Sequence, residues 1–452
     1  MLETKYIYKI GLHVIFGALL YYVGFFSKLF FFGVIGYFLF KIIVSHPKEK
    51  TTSVLLGCAY LTGAEVIFRM TGGGLFYESS KYFIIFYIIF GMFYNGVSNK
   101  GYPYFIYLIC LVPSVIVAST TIGIDGDLRK NVAFVLSGPV CLGISALYCY
   151  DKRINMRQIL DILHYLSLPI VTLTTYLFLY TPTIKGIVTG TDSNFAASGG
   201  FGPNQVCTVL GLGMFVFCVN YFLNSKTKLL KIINILLFAL VSFRAIITFS
   251  RGGVITAILM IFAFLVIVYS KSNRRQKNII LTSFASFILI SSLIWLVSSN
   301  QTDGLIEKRY TNQDQIGREK EDFSAGRVDL FVGELNGFID EPFLGVGASG
   351  MKERRLVSLG RVIATHNELS RLLSEHGILG VIILLILIFK PLDMRTANRY
   401  NYFFYAFLIF WFATINHSAM RIAAPGFVYA LALLNIKYEK RPVRRKRFVA
   451  TR

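Results

Sequence analysis

Charged residues are scarce in this sequence. Of its 452 residues, 15% are Asp, Glu, Lys or Arg, whereas 55% are hydrophobic and the mean hydropathy is +0.60. A soluble domain carries roughly 25% charged residues, so the chain has too few for a water-exposed surface. Its apolar residues fall in unbroken runs such as 254–269 and 279–297. Because a helix needs roughly 20 apolar residues to cross a bilayer, these runs predict an all-α polytopic membrane protein.

The sequence also lacks the short motifs through which many enzymes bring in energy or metal. It has no Gly-x-x-x-x-Gly-Lys-Ser/Thr phosphate loop, no His-Glu-x-x-His and no Gly-x-Ser-x-Gly. Its six cysteines have no metal-ligand spacing and lie in or beside apolar runs. No loop predicted to be cytoplasmic shows paired acidic residues like those of a nucleotide-sugar metal site. We therefore expect no metal and no cofactor, which suits a donor that is already activated.

Basic residues give the chain a formal net charge of +22. Most of them lie in short loops, such as KSNRRQK at 271–277 and KRPVRRKR at 440–447. Basic loops of this kind face the cytoplasm, next to the anionic leaflet. We therefore expect the lipid bilayer as a partner, and no nucleic acid.

The alternation of loops predicts a topology of about fourteen helices (twelve to fourteen) with both termini in the cytoplasm. The less basic loops, including 71–80, 120–127 and 181–200, then lie outside. The predicted parts are transmembrane helices at 1–297, an extracytoplasmic (periplasmic) cap at 298–365, C-terminal transmembrane helices at 366–437 and a basic cytoplasmic tail at 438–452.

The predicted cap differs in composition from the rest of the chain. It holds nearly half of the 24 acidic residues, mixed with Lys and Arg. Apolar residues recur in it at helical spacing after Arg327, and a glycine-rich turn follows at 345–350. A disordered linker would lack those apolar positions. The segment therefore predicts a small, mainly helical, folded cap, and long ordered loops are usually functional.

Two arginines on the outer side are candidates for binding phosphate. Arg251 is followed by two glycines, which could let a ligand approach the backbone, and Arg327 follows Ser324-Ala-Gly in the cap. A guanidinium is always charged and binds phosphate oxygens in pairs. The alternatives are an interfacial Arg251 that reaches to water and a surface Arg327 paired with Asp329 or Glu334.

His366 is the candidate general base, because imidazole can take a hydroxyl proton near neutral pH. It begins the stretch His366-Asn367-Glu368, where the cap re-enters the membrane. Spacing predicts His366 and Ser370 on one helical face, with Arg371 beside them. The alternative is a structural histidine at the interface. Asn204, in the Gly202–Gln205 start of an earlier span, is a supporting candidate, whose alternative is a plain helix start.

These features recur in one order between residues 202 and 380. The order is Pro203-Asn204, Ser250-Arg251-Gly252-Gly253, Gly326-Arg327, Pro342–Gly347, His366-Asn367 and Gly377–Gly380. Together they resemble the bacterial O-antigen ligase and O-antigen polymerase superfamily of membrane glycosyltransferases. The first 180 residues add only hydrophobic spans to the resemblance.

The resemblance implies a metal-independent, inverting glycosyltransferase of the bacterial inner membrane, with its active site facing outside. His366 would be the catalytic base, and Arg251 and Arg327 would bind the diphosphate of the donor. Asn204, Asn367 and Arg371 would support them. The implied partners are an undecaprenyl-diphosphate-linked oligosaccharide, an acceptor glycan and a chain-length regulator protein.

Three functions remain open at this point. Some ligases of the family have Glu at the position of Gly380, so the glycine favours an O-antigen or surface-polysaccharide polymerase. The alternative is a ligase that transfers polymer to the lipid A core. The second alternative, a lipid-linked oligosaccharide flippase, would need ionisable residues along a central path, whereas Glu65 and Arg69, four residues apart, suggest a structural pair.

Overall fold

The computed structural model describes residues 2–437, except 123–126, 321–325, 361–362 and 364. Within these residues the chain forms eighteen α-helices and two short strands. The helices are α1 (Leu2–Tyr22), α2 (Phe26–Val44), α3 (Lys50–Met70), α4 (Ser79–Asn95), α5 (Tyr102–Thr121), α6 (Leu128–Cys149), α7 (Met156–Tyr180), α8 (Pro203–Val219), α9 (Lys228–Ile247), α10 (Arg251–Lys271), α11 (Arg274–Gln301), α12 (Leu305–Tyr310), α13 (Arg327–Asp340), α14 (Gly350–Leu359), α15 (Glu368–His376), α16 (Ile378–Ala397), α17 (Phe404–His417) and α18 (Ala424–Ala432). The strands are β1 (Arg153–Asn155) and β2 (Asn435–Lys437).

Nine helices of the described part are long and apolar enough to cross a membrane, namely α2, α3, α5, α6, α7, α8, α9, α10 and α11. The chain is therefore a helical, polytopic membrane protein. In α3, 89% of the most apolar window is buried against other helices, whereas in α11 the share is 22%. This contrast places α3 inside the bundle and leaves most of α11 open to lipid. The total of about fourteen spans stays a prediction, because α17 and α18 have only 14 and 9 residues.

One end of the bundle brings together the turn before α7, the turn after α16, the start of α3 and the residues after α18. There β1 pairs in parallel with β2, with Arg153 opposite Asn435. The Asn435 amide donates to Asp151 over 2.7 Å, and Asn398 donates to the Leu434 carbonyl. Gln158, in the first turn of α7, donates to Thr52 of α3 over 2.8 Å. The predicted basic tail, 438–452, lies outside the described residues.

The other end carries the three helices of the segment predicted as a cap, α12, α13 and α14. A glycine-rich turn between α13 and α14 seats this segment on the bundle. The Val346 and Ala348 amides donate to the carbonyls of Ser374 and Ser114, each over 2.9 Å. Gly347 has φ +84°, and a β-carbon there would lie 2.6 Å from the Ala118 backbone. The turn therefore lies directly between α5 and α15.

Candidate active site

Arg251 is the first residue of α10. The preceding helix, α9, ends at Ile247, and a three-residue turn leads from it to Arg251. The Arg251 Nη1 donates to the Arg309 carbonyl over 3.3 Å. A β-carbon on Gly252 would collide with the His417 ring, and one on Gly253 would lie 2.6 Å from Cys207. The two glycines therefore allow helices to pack closely instead of admitting a ligand, because their neighbours already fill that space.

Asn204 holds the start of α8 against the turn before Arg251. Pro203 is the first residue of α8, as its fixed φ favours. The Asn204 side-chain oxygen accepts a hydrogen bond from the Ser250 hydroxyl over 2.7 Å. Its carbonyl accepts one from Thr208 over 2.7 Å. Asn204 therefore positions the residue beside Arg251 by tying Ser250 to α8.

Two arginines of the cap helices approach Arg251. Arg327 begins α13, directly after Gly326 in the left-handed region. Arg309, in α12, donates from Nε to the Phe249 carbonyl over 3.1 Å. Burial lowers the pKa of Arg309 and of Arg327, and the charge of Arg251 lowers the pKa of both further. Three cations from separate parts of the chain therefore lie within one another's electric field.

Arg309 was missed by the sequence analysis. It lies in the stretch LIEKRY of α12, where the mixture of charges resembles any solvated helix. Its ion pair with Asp192 spans 3.7 Å and joins it to the loop after α7. The spacing of residues in the sequence could not predict where Arg309 lies, because the residues it contacts are more than fifty positions away in the chain.

His366 lies just before α15, which begins at Glu368 with Asn367 as its N-cap. The prediction that His366 and Ser370 share a helical face is therefore wrong, because Asn367 interrupts the helical geometry between them. The Asn367 side chain accepts hydrogen bonds from the amides of Leu369 and Ser370. The Ser370 hydroxyl donates to Glu334 over 2.5 Å, away from His366.

The His366 imidazole is held neutral. Burial lowers the pKa of His366 to about 4, and the charges of Arg421 and then Arg327 contribute in the same direction. Its Nδ1 is buried and has no hydrogen-bond partner among the described residues. A neutral ring with an open nitrogen can accept a proton from an incoming hydroxyl.

Arg421 and His417, from the turn after α17 and the end of that helix, complete the surroundings of His366. Arg421 donates to the Thr365 carbonyl over 3.0 Å, and its own carbonyl accepts from Arg69 over 2.9 Å. The His417 Nε2 lies 3.4 Å from the Thr208 hydroxyl. The site therefore also depends on residues from α3, α8 and the C-terminal helices.

The remaining supporting candidates fix the backbone around His366. The Asn367 amide donates to the Asn416 side chain over 3.1 Å. Arg371 forms ion pairs with Glu368 and, over 3.1 Å, with Glu375. Since two carboxylates surround its guanidinium, Arg371 stabilises α15, although it lines the same small pocket as Arg421.

Glu334 is the other structural carboxylate at this position. It forms a 3.1 Å ion pair with Arg355, and the Thr365 hydroxyl donates to it. The suggested alternative pairing of Arg327 with Glu334 is therefore wrong. No three His, Cys, Asp or Glu side chains of the described residues are grouped so that they could hold a metal ion.

Residues 236–385 match a family model described as O-antigen ligase. The match confirms the resemblance to the O-antigen ligase and polymerase superfamily. The O-antigen ligase domain includes Arg251, Arg309, Arg327 and His366, whereas Arg421 lies beyond it. No curated protein matches the chain.

Proposed function

We propose that this chain is a membrane glycosyltransferase that moves a glycan from undecaprenyl diphosphate to a sugar hydroxyl. One observation carries the proposal: Arg251, Arg309 and Arg327 meet at the end of the bundle where a neutral His366 lies beside Arg421. A diphosphate is the anion that several guanidinium groups bind best. A neutral imidazole beside it provides a base for the acceptor.

The chemistry needs a leaving group and a base on opposite sides of one sugar carbon. The acceptor oxygen forms the new bond to the anomeric carbon while the bond to the diphosphate oxygen breaks. The arginines stabilise the negative charge that develops on the departing diphosphate. His366 takes the proton of the acceptor hydroxyl. Attack from the side opposite the leaving group predicts inversion at the anomeric carbon.

The setting of the site supports a lipid-linked donor. Arg251 begins a membrane-spanning helix, so a bound diphosphate would lie at the membrane surface while its lipid tail stays in the bilayer. We propose that this surface faces the outside of the bacterial inner membrane, with both termini in the cytoplasm. A chain-length regulator protein remains a predicted partner.

The first candidate acceptor is another lipid-linked repeat unit, which makes the protein a polysaccharide polymerase. Gly380, where some ligases have Glu, favours it. Gly380 also has a packing role, because a β-carbon there would collide with the Leu372 carbonyl. The second candidate, a ligase acting on the lipid A core, is favoured by the family description itself.

The test is to complement a deletion strain with the wild type or with His366→Ala and display the polysaccharide on a gel. The lipid-linked pool is separated in parallel. We expect His366→Ala to be expressed at the wild-type level and to fail. Single repeat units on the lipid A core identify a polymerase, whereas long polymer left on undecaprenyl diphosphate identifies a ligase.

His46→Ala is the matched control, because His46 is exposed at the opposite end of the bundle. It should complement like the wild type. If His366→Ala complements as well as His46→Ala, His366 is not the base. Loss of the outer lipid-linked pool on deletion would favour the flippase alternative over a transferase.

A further inference from the structure

A large cavity lies at the end of the bundle that carries the candidate active site. Its volume is about 1070 Å³, at the upper end of the size of ligand pockets. It opens between the loop before α4 and the start of α6. The described residues that line it include Phe76, Tyr77, Tyr82, Arg129, Lys130 and Phe134. All of them precede the segment that matches the family model.

The walls of this cavity combine aromatic rings with charged groups. The rings of Phe76 and Tyr82 lie 5.5 Å apart, and their residues are 55% and 42% exposed. Arg129 and Lys130, in the first turn of α6, add exposed hydrogen-bond donors. Most of the lining is apolar, but Glu78 and Asp127 line the cavity together with Arg129 and Lys130. Such charged groups would be costly against a polyprenyl tail. A sugar suits both wall types, since its C–H faces pack on rings and its hydroxyls bond to charged groups.

The position of Tyr77 links this cavity to the candidate active site. Its ring lies 4.0 Å from the Arg69 guanidinium, and its hydroxyl accepts from Gln205 over 3.4 Å. Arg69 also donates to the Arg421 carbonyl, and Arg421 donates to the carbonyl of Thr365, the neighbour of His366. Arg69, Arg421 and the backbone of Thr365 therefore connect the cavity wall to the candidate base.

A smaller pocket gives a second link between the two regions. It shares Phe134 with the large cavity, and Thr365 and Arg421 line it as well. This pocket has a volume of about 30 Å³, which is room for water and not for a sugar. Phe134 therefore stands between the large cavity and a small polar pocket beside the Thr365 backbone.

We propose that the cavity between α4 and α6 binds the glycan of the acceptor. The inference rests on the proposed function. It assigns donor and acceptor binding to different parts of the chain. The arginines that bind the donor's diphosphate lie in the segment that the family model matches. The cavity lies outside that segment, so its lining residues could differ between relatives that use different sugars.

The test measures initial rates of the full-length protein in lipid nanodiscs. The donor is the lipid-linked pool extracted from the deletion strain. The acceptor is the glycan released from the same pool by mild acid or, for the ligase candidate, the lipid A core. The variants are Tyr82→Ala and Arg129→Ala. We expect each to raise the KM for the acceptor about tenfold, the scale of one lost contact. The KM for the donor should stay within about twofold of the wild type.

Phe86→Ala is the matched control, because Phe86 is 38% exposed on the same helix but does not line the cavity. It should leave both KM values unchanged. Tyr82→Phe keeps the ring and should restore most of the affinity for the acceptor. Thermal unfolding should match the wild type for all four variants, since their side chains are partly or fully exposed.

Two outcomes would overturn the inference alone. A raised KM for the donor with an unchanged KM for the acceptor would place the donor in the cavity. Unchanged values for both substrates would show that the cavity binds neither of them. A wild-type protein that transfers no sugar would instead overturn the proposed function, and the inference with it.

Discussion

Two groups of buried charges in this molecule are built in opposite ways. In the first, on α3 and the start of α4, Arg69 lies 2.5 Å from Glu65 and 3.1 Å from Glu78, and Lys81 lies 2.6 Å from Glu78. The second consists of Arg251, Arg309 and Arg327, with Arg421 near His366, and its members are like charges that act on one another or on His366. No carboxylate of the described residues forms an ion pair with Arg327 or Arg421. The first group is balanced by carboxylates within the fold. In the second, Arg309 pairs with Asp192 over 3.7 Å, and the proposed function adds an anion from outside.

We interpret the paired charges as a contribution to stability and the clustered arginines as a binding site. Burying an ion costs several kcal/mol unless a partner offsets it. In the paired group the carboxylates supply that offset permanently. In the arginine group, like charges lower the pKa of Arg309 and Arg327 beyond the effect of burial. Such unbalanced sites are typical of places where a ligand binds. Substitutions in the two groups should therefore affect different measurements.

The largest effect should come from removing the arginines together. Arg251→Ala with Arg327→Ala should lower kcat/KM by on the order of 10² to 10⁴, since each lost contact to a charged oxygen is worth about 1.5–3 kcal/mol. Thermal unfolding should remain at the wild-type temperature, because like charges have been removed. The measurement is the initial rate in nanodiscs. Arg354→Ala, an exposed cap arginine paired with Asp340 over 2.8 Å, is the control, and an equal loss in it would break the comparison.

A substitution in a balanced group should instead reduce stability. Glu334→Ala leaves the guanidinium of Arg355 buried without its partner, which costs about 3–5 kcal/mol. We expect a clear drop in the thermal unfolding temperature of the purified protein. Asp340→Ala removes the exposed partner of Arg354 and should cost less than about 1 kcal/mol. Equal unfolding temperatures for the two variants would mean that burial does not distinguish these pairs.

The smallest expected effect is a shift in pH dependence. Because the pKa of His366 is lowered to about 4, the base stays neutral well into acid, and kcat/KM should hold down to that region. Arg421 is the charge that contributes most to this lowering, so Arg421→Gln should raise the pKa of His366. Activity is lost as pH falls through that pKa, so the acid limb should move to higher pH.

The control for this shift is Arg354→Gln, which should leave the acid limb in place. The measurement is the pH dependence of kcat/KM, because it reports the pKa values of the essential groups in the free enzyme. If the activity of the wild type were instead lost near the ordinary pKa of imidazole, the lowered pKa of His366 would be contradicted.

Local features of the molecule could be predicted from the sequence. Pro203 and Arg327 begin helices, and Glu65 pairs with Arg69, because these features depend on residues at most four positions apart. The predicted resemblance to the superfamily is also confirmed. The assigned roles of Arg251 and His366 remain predictions.

Features that depend on distant parts of the chain could not be predicted. Arg309 meets Arg251 only because α12 folds back onto the start of α10. The break before α15 could have been anticipated from Asn367, which is a good N-cap, but the helical spacing of His366 and Ser370 concealed it. The space around Gly252 is filled by His417, which lies 165 positions further along the chain.

Arg421 has a consequence for how this protein can be divided. Its carbonyl binds Arg69 of the third helix, and its guanidinium holds the residue before the candidate base. The segment that defines the family therefore ends before one of the groups that shape its own chemistry. If the proposed function is correct, residues 236–385 alone should not suffice for the transfer reaction. Exchange of this segment between relatives should succeed only when the first helices and the last turn are exchanged with it.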